Sequence, residues 1–147
     1  MIWVFVQAIL FILLMFLPLD GQFVMSSWLN SFALFVSFSG LLILMKAIYD
    51  LRRSLSVAPA PSKNGKLQTK GIYKLIRHPM YLAVWFIFGG GVLRSGSYVK
   101  VILFLALIVF FIIKTKHEEK LLIEKYPGYE KYKKQVGTYC PKIRTHS

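Results

Sequence analysis

The chain has 147 residues, a length suited to one domain, and 56% of them are hydrophobic. Its mean hydropathy of +0.55 is too high for an ordinary soluble domain, and the apolar residues come in long blocks, so composition predicts an integral membrane protein. The net charge of +13 does not point to nucleic acid, because Lys and Arg cluster in two segments between or after apolar runs, as on a cytoplasmic membrane face attracted to anionic lipid.

The first apolar run covers residues 2–19, carries Gln7 within it, and ends at Pro18, Asp20 and Gly21. No Lys or Arg precedes it and no small-x-small site follows, so a secretory signal peptide is not expected. The second run, 28–49, has Trp28 and Tyr49 near its ends, where interfacial aromatics sit. Each run is long enough to cross about 30 Å of hydrocarbon at 1.5 Å per residue. Residues 50–77 are polar, contain seven Lys or Arg together with Pro59, Pro61 and Gly65, and read as a loop.

The third run, 78–93, is short and spans a membrane only by tilting, re-entering or thinning the bilayer. Gly89, Gly90 and Gly91 weaken it as a helix and permit close packing by a neighbour. Residues 94–97 read as a turn. The fourth run, 98–114, is continuous, and the polar tail from Lys114 to Ser147 carries nine Lys or Arg. The loop after the first run has none, so positive-inside counting places the 50–77 segment, the tail and the N-terminus in the cytoplasm. The predicted fold is all-α: one polytopic membrane domain over 1–147, with about four transmembrane helices and a C-terminal cytoplasmic helical segment. Cys140 is the single cysteine, so no intrachain disulfide forms.

A helical hairpin returns the chain to the side it left. The residues before the third run (Gly71, Tyr73, Arg77, His78, Pro79, Met80, Tyr81) should therefore meet those after the fourth (Glu118, Glu119, Tyr126, Tyr129, Tyr132). Polar groups at the edge of lipid are costly unless partnered. Each piece also has a plain structural reading. Pro79 suits the first turn of a helix and holds His78 out of helical geometry, with His78 and Tyr81 as headgroup anchors. Glu118 and Glu119 lie about 100° apart on a helix, so at most one points squarely into a given pocket. Lys114–Glu118, Lys120–Glu124 and Glu130–Lys134 fit a solvated helix with i,i+4 pairs. The tyrosine stripe packs on neighbours or shelters a cation such as a sulfonium. His78, His117 and His146 have no metal-ligand spacing, and no metal is expected.

Taken together, the two parts resemble the isoprenylcysteine carboxyl methyltransferase family and the related phospholipid methyltransferases. The pattern is Gly71, Tyr73, Arg77, His78, Pro79 and Tyr81, a hairpin, then Glu118, Glu119, Leu122, Tyr126, Tyr129 and Tyr132, with Val136 and Pro141 beyond. The match runs from about residue 66 to 143, and the first two runs are not diagnostic. The resemblance implies a membrane enzyme that binds S-adenosylmethionine on the cytoplasmic side, in segments 66–81 and 114–132. Carried over by position, Lys66, Leu67, Gln68, Tyr73, His78, Pro79, Met80 and Tyr81 line the cofactor, Glu118 binds it and Glu119 assists. Lys114 stands where the prenylcysteine enzymes place an arginine on the substrate carboxylate; lysine keeps the charge and loses the bidentate fork.

The implied reaction is methyl transfer to a lipophilic, membrane-partitioned acceptor: a carboxylate, an amine or a thiol. A carboxylate or thiolate needs no general base, whereas an amine must lose a proton, with His78 and Tyr81 the candidates to assist. The chain is short for this group, which suggests a homo-oligomer to close the lipid side. Two other readings stay open. One is a non-enzymatic four-helix protein, either a complex subunit or a small exporter, although exporters of lipophilic cations usually carry an intramembrane carboxylate. The other is a family member that keeps the pocket and has lost catalysis.

Overall fold

In a computed structural model, the described residues are 2–17, 23–24, 26–54 and 67–142. They form α1 (Ile2–Phe16), α2 (Ser27–Ser54), α3 (Pro79–Ser95), α4 (Tyr98–Lys125) and α5 (Tyr129–Gln135), with a 3-10 turn at Gly71–Lys74 before α3. No strand occurs among the described residues; one isolated parallel bridge joins Ile76 to Gly137.

Local chemistry sets the ends of α3 and α4. Pro79 opens α3 in its first turn, and His78 before it sits at φ −121°, ψ 60°, outside helical geometry. Gly96 ends α3 in the left-handed region at φ 61°, which a residue without Cβ adopts at low cost. The Ser97 side chain then accepts from Lys100 N–H and caps α4.

The turn is tighter than sequence alone suggests, because Arg94 and Ser95 stay helical. The glycine triplet also stays inside α3. A Cβ on Gly90 would collide with the Ala33 carbonyl and the Ser37 hydroxyl of α2. α2 runs on to Ser54, past the end of its apolar run, and Lys46 and Asp50 support it as an i,i+4 ion pair at 2.7 Å. α4 likewise continues to Lys125, so Glu118 and Glu119 ride on the same rod as the apolar run.

Small residues let α2 and α3 approach closely: Ala33 and Gly40 on one side, Ala83 and Gly90 on the other. A Cβ on Gly40 would stand 2.7 Å from Phe86 Cβ and 2.8 Å from the Ala83 carbonyl oxygen. Gly40→Leu is therefore expected to destabilise the protein by at least about 1–3 kcal/mol, the usual cost of overpacking. Thermal unfolding in detergent reads this directly, and a wild-type midpoint would refute close α2–α3 packing. On the other side of α3, Leu14, Val92, Leu107 and Phe111 form a core with α1 and α4, and the Phe11 and Phe88 rings stack at 4.7 Å.

The outer surface is apolar. Phe5, Ile12, Phe35, Phe38, Ile102 and Val109, on α1, α2 and α4, are all more than half exposed, a greasy exterior that suits lipid better than water. Ser27–Arg52 and Tyr98–Lys125 are long and apolar enough to cross a membrane, and Ile2–Phe16 is a shorter apolar helix. α3, at 17 residues, reaches about 25 Å.

A second, smaller core lies at the polar end. Tyr129, Tyr132 and Val136 are buried there against Leu67, Leu122 and Tyr126. The tyrosine stripe is thus packing surface for α5.

Candidate functional site

The site is assembled at the junction of α3's first turn, the polar extension of α4 and the tail after α5. The tail lies alongside residues 76–78: Arg77 N–H donates to the Gly137 carbonyl at 2.9 Å and His78 N–H to the Thr138 carbonyl at 3.0 Å. These bonds satisfy backbone groups where the chain leaves the 3-10 turn. They also fix His78 before Pro79 locks the start of α3.

Arg77 is the centre of this junction and is buried. Its Nε and Nη2 lie 2.9 and 2.7 Å from Glu119 Oε1. Nη1 donates to the carbonyls of Lys133, at 3.0 Å, and of Val136; Nη2 donates to Thr138 Oγ1 at 2.7 Å. Glu119, also buried, has Lys133 Nζ at 2.9 Å on its other oxygen. His78 Nε2 stands 3.4 Å from Glu119 Oε1 without hydrogen-bond alignment. Glu119 is therefore saturated with cations, and its role in the geometry is to tie α4 to the tail through Arg77.

Glu118 faces the other way. The Tyr81 hydroxyl lies 2.7 Å from each of its oxygens, and Lys114 Nζ is 3.9 Å away. Its side chain is 35% exposed against 7% for Glu119, so it keeps acceptor capacity for a further partner. Lys114 is drawn in from α4 to donate to Gln7 Oε1 of α1 at 2.7 Å and lies over the Tyr81 ring at 5.3 Å. The His78 and Tyr81 rings stack at 5.4 Å. Beside them Tyr139 reaches in from the tail: its hydroxyl is 2.6 Å from Thr115 Oγ1 and its ring 4.4 Å from that of Trp85. Two buried ring nitrogens, His78 Nε2 and Trp85 Nε1, lack a hydrogen-bond partner among the described residues.

The approach to α3 is pegged by Asp50 at the end of α2. Its carboxylate accepts from Ile72 N–H at 2.8 Å, and its carbonyl accepts from Gln68 Nε2 at 2.7 Å. Gly71, at φ 63°, passes so close that a Cβ would collide with the Asp50 carboxylate. Tyr73 is buried, which pushes its phenol up to about 12 with help from the Asp50 charge, and its carbonyl accepts from the Tyr132 hydroxyl at 2.5 Å.

Of the residues expected from sequence, His78, Tyr81, Lys114, Glu118 and Glu119 come together, with Pro79 buried beneath and Met80 half-buried. Leu67, Gln68 and Tyr73 are engaged with the Tyr129 cluster, with Asp50 and with Tyr132 respectively. Lys66 lies outside the described residues. Sequence reasoning placed Arg77 among the residues that meet Glu118 and Glu119 without assigning it a function, and gave no role to Trp85, Thr115, Thr138, Tyr139 or Asp50. Arg77 had a signal, since an arginine beside a helix start that is itself at the edge of lipid needs an acid partner. Tyr139 and Thr138 had none, because they sit in a polar tail without periodicity.

A helical hairpin inside an apolar shell, with imidazole, phenol and paired carboxylates gathered at its polar end, defines a membrane-associated helical protein with a polar site at one face. The chain belongs to the phospholipid methyltransferase family, whose sequence profile matches residues 28–128. It is 28% identical over 99 residues to a methanethiol S-methyltransferase of Pseudomonas deceptionensis, covering 66% of this chain and 37% of that protein. It is 35% identical over 89 residues to a protein-S-isoprenylcysteine O-methyltransferase of Schizosaccharomyces pombe, covering 59% and 38%. A cobalt-zinc-cadmium resistance protein of Cupriavidus metallidurans is 28% identical over 82 residues, covering 55% and 38%. The chain thus spans less than two fifths of the length of these curated relatives.

Proposed function

We propose that the protein transfers a methyl group from S-adenosylmethionine to a lipophilic or membrane-partitioned acceptor, at the junction of α3, α4 and the tail. The observation that carries this reading is the Tyr81–Glu118 pair set beside two buried ring nitrogens that lack partners among the described residues. A buried indole N–H or imidazole nitrogen without a hydrogen bond is costly, whether it donates or accepts, and a polar ligand seated beside them would satisfy them. The donor set fits this cofactor: a part-exposed carboxylate for its hydroxyl and amino groups, and aromatic rings beside its cation. Family membership supports the same reading.

When bound, S-adenosylmethionine supplies a methyl group already activated by its sulfonium. The chain's residues then mainly orient and exclude water. Glu118 holds the cofactor, and Tyr81 fixes the Glu118 rotamer by bonding both oxygens. Glu119 acts through Arg77 as a positioning residue. Lys114, poised by Gln7, draws an anionic acceptor toward the site. For an amine acceptor, His78 would take its proton, and Tyr81, whose hydroxyl donates to Glu118, would assist by holding that carboxylate in place. Leu67, Gln68, Tyr73 and Asp50 hold the approach segment, and Lys66 precedes it. A polar cofactor enters from the cytoplasm and a greasy acceptor from lipid, with four crossings and both termini cytoplasmic.

Calorimetric titration of the detergent-purified protein with S-adenosylmethionine or S-adenosylhomocysteine is expected to give saturable binding. Folded protein that binds neither, in detergent and in lipid nanodiscs, would overturn the proposal. A reporter fused to the C-terminus is expected to read cytoplasm, and an opposite reading would place the site away from its cofactor.

A further inference from the structure

A cavity lies outside this site, between the 3-10 turn, α5 and the tail, with a volume of about 480 Å³. Lys74, Lys131 and Lys142 line it, one from each of the three segments, and no carboxylate does. None of Lys114, His78, Tyr81 or Glu118 reaches it.

The cavity has a fixed frame. Tyr132 and Val136 form its back wall and are buried. The Tyr132 hydroxyl is bonded to the Tyr73 carbonyl, and the Val136 carbonyl to Arg77. Lys142 Nζ donates to the Lys134 carbonyl at 3.0 Å, which pins the tail against the last turn of α5. Leu75, 55% exposed, and Pro141 add apolar wall beside the lysines.

Lys74, Lys131 and Lys142 are solvent-exposed, so water screens their mutual repulsion, and together they give the cavity a positive lining open to an anion. Lys133, close by in sequence, has Glu119 as its acid; the cavity lysines face a lining with no acid of its own. Phosphate is the anion best matched to several point-charge lysines, and the apolar wall suits a phosphate ester carried on an apolar group. The cavity also lies at the polar end of an apolar helical shell, where headgroups are found.

We propose that this cavity binds a phosphate-bearing anion. Its two sources are an anionic phospholipid headgroup and free phosphate. The test uses the full chain in an uncharged maltoside detergent, titrated by calorimetry with inorganic phosphate and with a monomeric short-chain phosphatidylglycerol. Saturable binding of at least one probe is expected. Replacing Lys74, Lys131 and Lys142 together by glutamine should weaken it at least tenfold. The same change at Lys116, Lys120 and Lys125 on α4 removes equal charge and should alter it less than twofold.

Phosphatidylglycerol binding at least tenfold tighter than phosphate, and weakened by Leu75→Gln, identifies a headgroup. Equal affinity, indifferent to Leu75→Gln, identifies free phosphate. No saturable binding of either probe, or equal loss in both triple variants, overturns the proposal. If the cavity triple does not fold, Lys131→Gln alone, at an exposed side chain, gives the same reading with a smaller loss. The outcome does not depend on S-adenosylmethionine binding.

Discussion

Arg77→Met is expected to destabilise the protein by about 3–5 kcal/mol, the usual result of removing one partner of a buried ion pair. The change strips Glu119 of two contacts, leaves the Val136 carbonyl and Thr138 Oγ1 without their Arg77 donor, and leaves the Lys133 carbonyl only Lys142 Nζ at 3.5 Å. Lys133 remains beside Glu119 but is 43% exposed on its side chain, so its charge is screened by water and cannot replace a buried guanidinium. Arg77→Lys keeps a charge and loses the fork that reaches four partners, so it should fall between methionine and wild type. Adding Glu119→Gln to Arg77→Met should recover part of the loss, because the unpaired carboxylate is then gone. Thermal unfolding in detergent measures all three. Limited proteolysis should show the tail cut sooner in Arg77→Met, since the guanidinium that holds the Val136 carbonyl and Thr138 Oγ1 is gone. A wild-type midpoint for Arg77→Met would refute the clamp.

Glu118→Gln is expected to weaken S-adenosylmethionine binding ten- to a hundredfold while leaving the fold intact. A hydrogen bond to a charged acceptor contributes about 1.5–3 kcal/mol, and about 1.4 kcal/mol is tenfold in affinity. Stability should change little, because the side chain is already 35% exposed and the glutamine carbonyl still accepts from Tyr81. Lys114 loses a weak partner at 3.9 Å and keeps Gln7. Calorimetry on both proteins, with matched unfolding curves, separates lost affinity from lost fold. Unchanged affinity would remove Glu118 from the cofactor site.

The contrast between these two variants rests on adjacent carboxylates. Sequence spacing indicates that Glu118 and Glu119 cannot both point the same way, since neighbours on a helix diverge by about 100°. It does not say which faces where. That depended on Arg77, which approaches α4 from a different segment and takes Glu119. The tyrosine stripe is similar. A three-residue spacing marks one face of a helix, but its burial against Leu67 and Leu122 required α5 to fold back onto α4.

By itself the sequence determined the membrane-associated class, the all-helical architecture, the family pattern, and the start of α3 at Pro79 beside a non-helical His78. Those follow from local physics: apolar run length, the missing proline N–H, and the steric limit on the residue before it. Tertiary structure decided the rest. It brought Gln7 to Lys114, Asp50 to Ile72, and Thr138 and Tyr139 to Arg77 and Thr115, across separations that no periodicity encodes. It also decided that the glycine triplet stays helical, because Gly90 is braced by the Ala33 and Ser37 surface of α2. Buried polar groups choose partners by proximity in space, and only the packed chain sets that proximity.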